Sequence, residues 1–337
     1  MKSKFRYSLE NFRGVAIIFV MLSHIMSIQN MGKVGDVFYY LVGDATAWFI
    51  FISGYLFYYL EINKFNYFDY LKKKVKFVVL PYLILSFPAI LFWIYSSQHV
   101  IYGLTAIKYF FWSLIAGGIA VGPMWFIPMI VIFFLLTPVF NILSKTKFIY
   151  IFVAVSLGFS LFSSRSIYNA NALLSFMHFL GFYLLGMVAA KDAAALEALK
   201  TSTKVTLIFI AIFVFIIFGL LFPGIDNIPS SFFSGLGFLN YILVGKLALL
   251  VAIFLIFERF FERQNKVLGY FAKISFGLFF IHGFMGAVFQ RVSRDIHYAS
   301  PMLKLLCEVG VIVFVSVAVV YVLKKFLGKW SRYVIGC

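Results

Sequence analysis

Hydrophobic residues in this chain gather into runs that stay apolar for about the length of a membrane crossing. Windows between polar breaks place ten of them, near residues 14–30, 38–60, 76–97, 124–143, 148–163, 172–190, 204–222, 236–258, 270–290 and 304–326. As helices, runs of roughly 17 to 25 residues cross a hydrocarbon core of about 30 Å. Helices are expected because unpaired backbone groups cannot face lipid. The predicted fold is all-α: a polytopic membrane helix bundle of about ten transmembrane helices in a single domain over residues 1–337. The stretch "LTAIKYFFWSLIAGG" at 104–118 is an eleventh hydrophobic element, read as interfacial or re-entrant.

Composition agrees. Of 337 residues, 63% are hydrophobic and 12% charged, and the mean hydropathy of +1.00 lies outside the range of soluble domains. Cys307 and Cys337 are the only cysteines, so neither a disulfide framework nor a thiolate metal site is expected. The first apolar segment shows no convincing small-residue cleavage site and is read as a retained helix. With the N-terminus inside, 21 of the 29 Lys and Arg residues fall in inner segments and 5 in outer ones. This asymmetry places both termini in the cytoplasm. It also explains the net charge of +17: the cations sit in short loops beside apolar spans, which suits anionic lipid headgroups and not nucleic acid.

The first run begins with charge and ends with a histidine. From Arg13 to His24 is eleven residues, about 1100° of helical rotation and about 16 Å of rise, so the two share a face that links the inner surface to the outer half of the membrane. Arg13 as an orientation anchor with His24 satisfied by a neighbouring helix is one account. A functional pair is the other, since ionisable groups at depth are costly.

The segment "LENFRGVAIIFVMLSH" resembles the first-helix signature of the acyltransferase 3 family: an acidic residue, then Arg-Gly, then Arg-x10-His, matched by Glu10, Arg13, Gly14 and His24. Further segments follow in order. "FISGYLF" at 51–57 is similar to the family's Phe-x-x-Ser-Gly, and "KKKVKFVVLPYLI" at 72–84 to a basic loop leading to Pro-Tyr. "GPMWFIP" at 122–128 is similar to its Trp-aromatic segment, and "SFGLFFIHGF" at 275–284 to its late Ser-x-Gly-x-x-x-x-His helix. The resemblance covers about residues 6–326. Where many members carry Arg-x-x-Arg, this chain has Lys73-x-x-Lys76, which keeps the charge and loses the planar fork suited to phosphate.

The resemblance implies a bacterial cytoplasmic-membrane enzyme that moves an acyl group, usually acetyl, from cytoplasmic acyl-CoA to a hydroxyl of a surface glycan or lipid-linked sugar. Acetyl-CoA is then the donor, and no metal is called for. Arg13, Lys72, Lys73, Lys74 and Lys76 would receive its phosphates, with Trp125 lining the pocket or packing helices, as Phe126, Ser53 and Gly54 also would. His24 would act as general base or carry a transient acyl group. Asp44, judged to lie at a similar depth, would orient His24 or meet water at the outer interface. His282 reaches a similar depth in the ninth span and is the second catalytic candidate. Glu10 either pairs with Arg13 or shapes the donor pocket. His178 is weaker, and His99 and His297 fall in outer loops. Lys246, inside the eighth span, pairs or snorkels. The competing account is a glycan or small-solute transporter or flippase with a proton-coupled His/Asp site, although no paired halves or inverted repeat are visible.

Overall fold

The computed structural model describes residues 5–96, 103–118, 120–163, 169–222 and 240–337. His99, Arg165 and the predicted start of the eighth span at 236–239 lie outside them. The helices are α1 (Tyr7–Ser23), α2 (Lys33–Val42), α3 (Thr46–Leu56), α4 (Tyr67–Lys74), α5 (Leu80–Ser96), α6 (Gly103–Ala116), α7 (Phe126–Leu135), α8 (Thr137–Ser144) and α9 (Phe148–Leu161). They continue as α10 (Ala172–Lys191), α11 (Ala193–Ala198), α12 (Thr201–Leu221), α13 (Tyr241–Phe260), α14 (Lys266–Val292), α15 (Pro301–Val309), α16 (Ser316–Leu327) and α17 (Ser331–Val334).

Seven helical stretches are long and apolar enough to cross a membrane: Lys33–Lys64, Tyr67–Ser96, Ala172–Lys191, Thr201–Leu221, Tyr241–Phe260, Lys266–Asp295 and Pro301–Val334. An eighth forms if α7, with its preceding turn, and α8 count as one span bent by 55°. Leu136 leaves helical geometry there, Thr137 Oγ1 donates to Phe134 O at 2.7 Å, and Pro138 lacks an amide hydrogen. The chain is thus an all-α, multi-pass membrane protein with seven to eight spans by length and composition. Two of the ten predicted runs, 14–30 and 148–163, correspond to helices of 17 and 14 residues, the first at the lower limit of a crossing and the second below it. The 104–118 stretch forms the short apolar helix α6.

Three boundaries differ from the sequence reading for identifiable reasons. Helix α1 begins at Tyr7 rather than 14 and stops at Ser23. Ser23 Oγ donates to Val20 O at 2.8 Å, and the amides of His24 and Ile25 tighten onto Met21 and Leu22 carbonyls, a local competition that favours termination. The second span breaks at Gly43–Ala45, where Asp44 takes the left-handed conformation with φ of 55°, tolerated by aspartate better than by most residues. The lysine segment is helical: Asn66 accepts from the Asp69 amide at 3.2 Å to start α4, and a π-helical turn at Val75–Val79 carries the helix on into α5.

The chain divides into two compact units. The first comprises Met1–Phe65, Pro138–Ser164 and Met177–Ser275. Its core centres on Phe12, which is fully buried among Trp48 and Phe51 of α3 and Phe257 of α13, with ring centroids 5.7 to 6.4 Å away. Two crossings in this unit leave no room for a side chain. A Cβ on Gly54 would enter the Tyr183 backbone and one on Gly186 the Phe51 backbone, so α3 and α10 touch main chain to main chain. Gly14 meets the Leu268 backbone in the same way.

The second unit comprises Asn66–Thr137, Arg165–Phe176 and Phe276–Cys337. There α5 and α6 pair through Tyr82 OH, which donates to Leu114 O at 2.7 Å, and through stacked Trp93 and Tyr109 rings 4.7 Å apart. The end of the chain is tied down by Arg332 over the Phe77 ring at 3.9 Å and by Ser331 Oγ, which donates to Cys337 O at 2.7 Å.

Candidate active site

Along α1, polar residues at helical spacing do two separate jobs. Ser8 and Asn11 dock the helix. Ser8 Oγ donates to Glu258 Oε1 at 2.5 Å. Asn11, fully buried, donates through Nδ2 to Phe261 O at 3.1 Å and Arg263 O at 2.9 Å. Its Oδ1 accepts from the Asn265 amide at 3.3 Å, and Asn265 Oδ1 in turn caps α14 by accepting from Val267 N and Leu268 N. Before the helix, Arg6 reaches Glu258 at 3.0 Å and Glu197 at 2.6 Å, with its guanidinium over the Tyr59 ring at 5.1 Å.

Glu10 and Arg13 line a cavity of about 330 Å³, together with Arg6, Leu9, Tyr59 and Lys273. Arg13 and Lys273 stand there against the one carboxylate of Glu10, while Arg6 is paired with Glu258 and Glu197. Glu10 Oε2 is buried without a hydrogen-bond partner, beside Gly269 in the first turn of α14, where a Cβ would come within 3.5 Å of it. A carboxylate at a helix N-terminus is favoured by the helix dipole. A neighbouring cavity of about 510 Å³ shares Phe5, Arg6 and Tyr59 and adds Glu197, Glu258, Glu262 and Lys204, so its carboxylates outnumber its cations. An anionic ligand is drawn to the smaller one. Its volume is at the low end for ligand pockets, about 300–1,000 Å³.

At the other end of α1, His24 is the capping residue, half-buried just past the last helical turn. It therefore terminates the helix instead of lying six residues inside a span. The rings of Phe19 and Trp48 are 4.8 Å apart and Phe12 contacts Phe51, so α1 and α3 run antiparallel. His24, five residues beyond Phe19, and Asp44, four before Trp48, thus stand at the same end of the pair. Asp44, also half-buried, lies in the break between α2 and α3, and its carbonyl accepts from the Ala47 amide at 2.8 Å.

The predicted lysines, Trp125 and His282 belong to the second unit. Lys72, Lys73 and Lys76 are exposed, and Lys74 is half-buried. Lys74 Nζ lies over the Tyr70 and Phe134 rings at 4.9 and 4.8 Å, and Lys76 Nζ lies 4.9 Å from the Tyr333 ring centroid. Trp125 is buried beside Phe126. His282 is fully buried on α14, with Nδ1 donating to Leu278 O at 2.9 Å, an arrangement that fixes the proton on Nδ1 and leaves the lone pair on Nε2. The two motif segments of this unit pack on each other: Phe126 meets Phe279 at 5.3 Å, and a Cβ on Gly283 would press on Pro123 and Val121.

His178 is buried, with Nδ1 and Ser163 Oγ 3.3 Å apart, which suits a structural histidine. Gly54 serves the α3–α10 crossing. Sequence reading missed Arg6, Tyr59 and Lys273 as companions of Arg13. Lys273, inside an apolar run, was the one visible signal.

Among the described residues no group of three or more His, Cys, Asp or Glu could hold a metal ion. Comparison with curated proteins and with solved structures finds no match to this chain. The profile of a family described as an acyltransferase domain matches residues 6–325, running from the Arg6 anchor through α1 and both motif-bearing units almost to the end of α16. The chain is a membrane acyltransferase and belongs to the acyltransferase 3 family.

Proposed function

We propose that this protein is an O-acyltransferase of the bacterial cytoplasmic membrane that transfers an acetyl group from cytoplasmic acetyl-CoA to a hydroxyl of a surface polysaccharide or lipid-linked glycan. One observation carries the proposal: a single 17-residue helix holds Arg13 in a basic cavity with Arg6 and Lys273 and, past its other end, His24 at the level of Asp44. Family membership supplies acyl transfer, and this geometry supports a cationic donor end and a basic reacting end about 16 Å apart along the helix. The long arm of an acyl-CoA suits that separation.

In this scheme Arg13 and Lys273 hold the anionic part of the donor, Arg6 stays with Glu258 and Glu197, and Glu10 shapes the wall of the cavity. Lys72, Lys73, Lys74, Lys76 and Trp125 are assigned to donor attraction at the inner face. His24 removes the hydroxyl proton as the hydroxyl oxygen attacks the thioester carbonyl carbon. The carbon–sulfur bond breaks, and the proton passes to the departing thiolate. In the covalent variant His24 takes the acyl group first, releasing the thiol, and the hydroxyl oxygen then displaces the imidazole. Asp44 orients His24, and His282 is held as a second basic nitrogen.

Ten crossings with both termini in the cytoplasm remain our assignment. The seven long helices, the bent pair, α1 and α9 supply them, and the bias of Lys and Arg toward inner segments supports the orientation. A family match running through both units supports treating them as one domain.

The test is genetic and chemical. The gene is deleted in its host and restored as wild type or as His24→Ala at matched membrane levels, and base-labile acyl esters on surface glycans are quantified by proton NMR. An ester restored only by wild type, at constant glycan yield, is the expected result. A fall in glycan yield on deletion with no difference in ester overturns it in favour of a transporter.

A further inference from the structure

Lys246 is 3% exposed in the second turn of the apolar helix α13, and neither donor binding nor the histidine chemistry uses it. Its ammonium donates to the carbonyl oxygen of Tyr40 and lies 5.2 Å from the centroid of the same ring. That carbonyl is at the end of α2, where the chain leaves helical geometry at Gly43 and Asp44. Carbonyls in a last helical turn lose their intrahelical amides, and within a membrane they must find another donor. Lys246 supplies it from α13. Asp44, four residues after Tyr40, is within electrostatic reach of the same ammonium.

The seat is shaped for this arrangement. The Tyr40 ring lies in a slot whose walls are glycines: a Cβ on Gly219 of α12 or on Gly245 of α13 would strike it. Tyr40 OH donates to Phe215 O at 2.8 Å, and its ring stacks on Phe215 at 4.7 Å. The end of α2 is therefore held by α12 and α13 through one tyrosine and one lysine, and the next residues of the chain present Asp44.

We propose that Lys246 is a positioning residue of the transferase: by closing the broken end of α2 and balancing the charge of Asp44, it holds the break in the second span in the shape that places Asp44 at the His24 end of α1. Asp44's part in transfer rests on the function proposed above. The clamp between Lys246 and the helix break is a property of the fold alone. A buried ammonium is costly alone and less so with a half-buried carboxylate near it, so the two are expected to depend on each other.

Lys246→Met, Asp44→Asn and the double variant, purified in lipid nanodiscs, are compared with wild type for thermal midpoint and for transfer from acetyl-CoA to the acceptor glycan. Either single variant is expected to lower the midpoint, and the double variant to lower it by less than the sum of the two. Lys246→Met is expected to lower kcat at least tenfold at an unchanged KM for acetyl-CoA, because the donor cavity lies at the other end of α1. Additive midpoints, or wild-type kcat in folded Lys246→Met, overturn the proposal. If Lys246→Met does not accumulate, recovery of folded protein in Lys246→Met/Asp44→Asn supports the clamp and its absence overturns it. Wild type without transferase activity, but with the non-additive midpoints, removes the proposed function and leaves the clamp standing.

Discussion

Replacing Arg6 by methionine separates two ion pairs that share one guanidinium. Toward Glu258 the contact is 3.0 Å, with both side chains 18% exposed, and Ser8 occupies the other carboxylate oxygen. Toward Glu197 the contact is shorter, 2.6 Å, but that glutamate is 61% exposed. Distance alone ranks Glu197 first, whereas desolvation ranks Glu258 first. A hydrogen bond to a charged group in a partly buried setting is worth about 1.5–3 kcal/mol, and an exposed ion pair about 0.2–1 kcal/mol. Arg6→Met should therefore destabilise by roughly 2–4 kcal/mol, most of it through Glu258. Double-mutant cycles with Glu258→Gln and Glu197→Gln, read from reversible SDS unfolding in mixed micelles, measure each coupling. Couplings of about 2 kcal/mol for Glu258 and under about 1 kcal/mol for Glu197 are expected. The reverse order would refute the claim that burial, rather than contact distance, sets the strength of the anchor at the start of α1.

Other outcomes follow from the two ends of that helix. Lys273→Met should raise the KM for acetyl-CoA about tenfold, equivalent to ~1.4 kcal/mol, at nearly constant kcat; an unchanged KM in steady-state assays would remove Lys273 from the donor cavity. His24→Ala should cut kcat by at least about a hundredfold while acetyl-CoA binding, followed by calorimetry, is retained. If Asp44→Asn leaves transfer intact while His24→Ala abolishes it, the proposed pairing of Asp44 with His24 is dropped. Gly186→Val should cost at least about 1–3 kcal/mol and lower the yield of monodisperse protein on size exclusion, because its side chain would enter the Phe51 backbone; a normal thermal midpoint would contradict the crossing.

Helix existence was legible in the apolar runs because lipid imposes one requirement on every residue of a span. Helix α10, predicted at 172–190, ends at Lys191, and α12, predicted at 204–222, ends at Leu221. Misplaced boundaries occur where polar residues are satisfied at long range. Ser8, Glu10 and Asn11 read locally as a polar lead-in, yet Ser8 and Asn11 are buried by partners some 250 residues away, at Glu258, Phe261 and Arg263. No local window contains that information, so the predicted start of α1 slipped to residue 14. Asp44 read as a charge inside a continuous helix, because the donor that closes the broken end of α2 is Lys246 in another helix.

The same contrast shows what the Arg-x10-His spacing accomplishes here. Arg13 is three residues after Glu10, so both project from neighbouring turns of one face, while Ser8 and Asn11 hold another face of α1 against α13 and the turn before α14. The docking bonds settle the rotation of the helix about its axis. Once that rotation is set, Arg13 lines the cavity beside Lys273, and a fixed count of residues carries the chain to His24. One residue inserted between Asn11 and His24 would turn the histidine by about 100° and advance it by about 1.5 Å without touching the anchor. The motif thus works as a ruler only because the polar residues before it fix its zero. Ser8 and Asn11 line neither the Arg13 cavity nor the His24 end, yet they set where both ends of this helix stand.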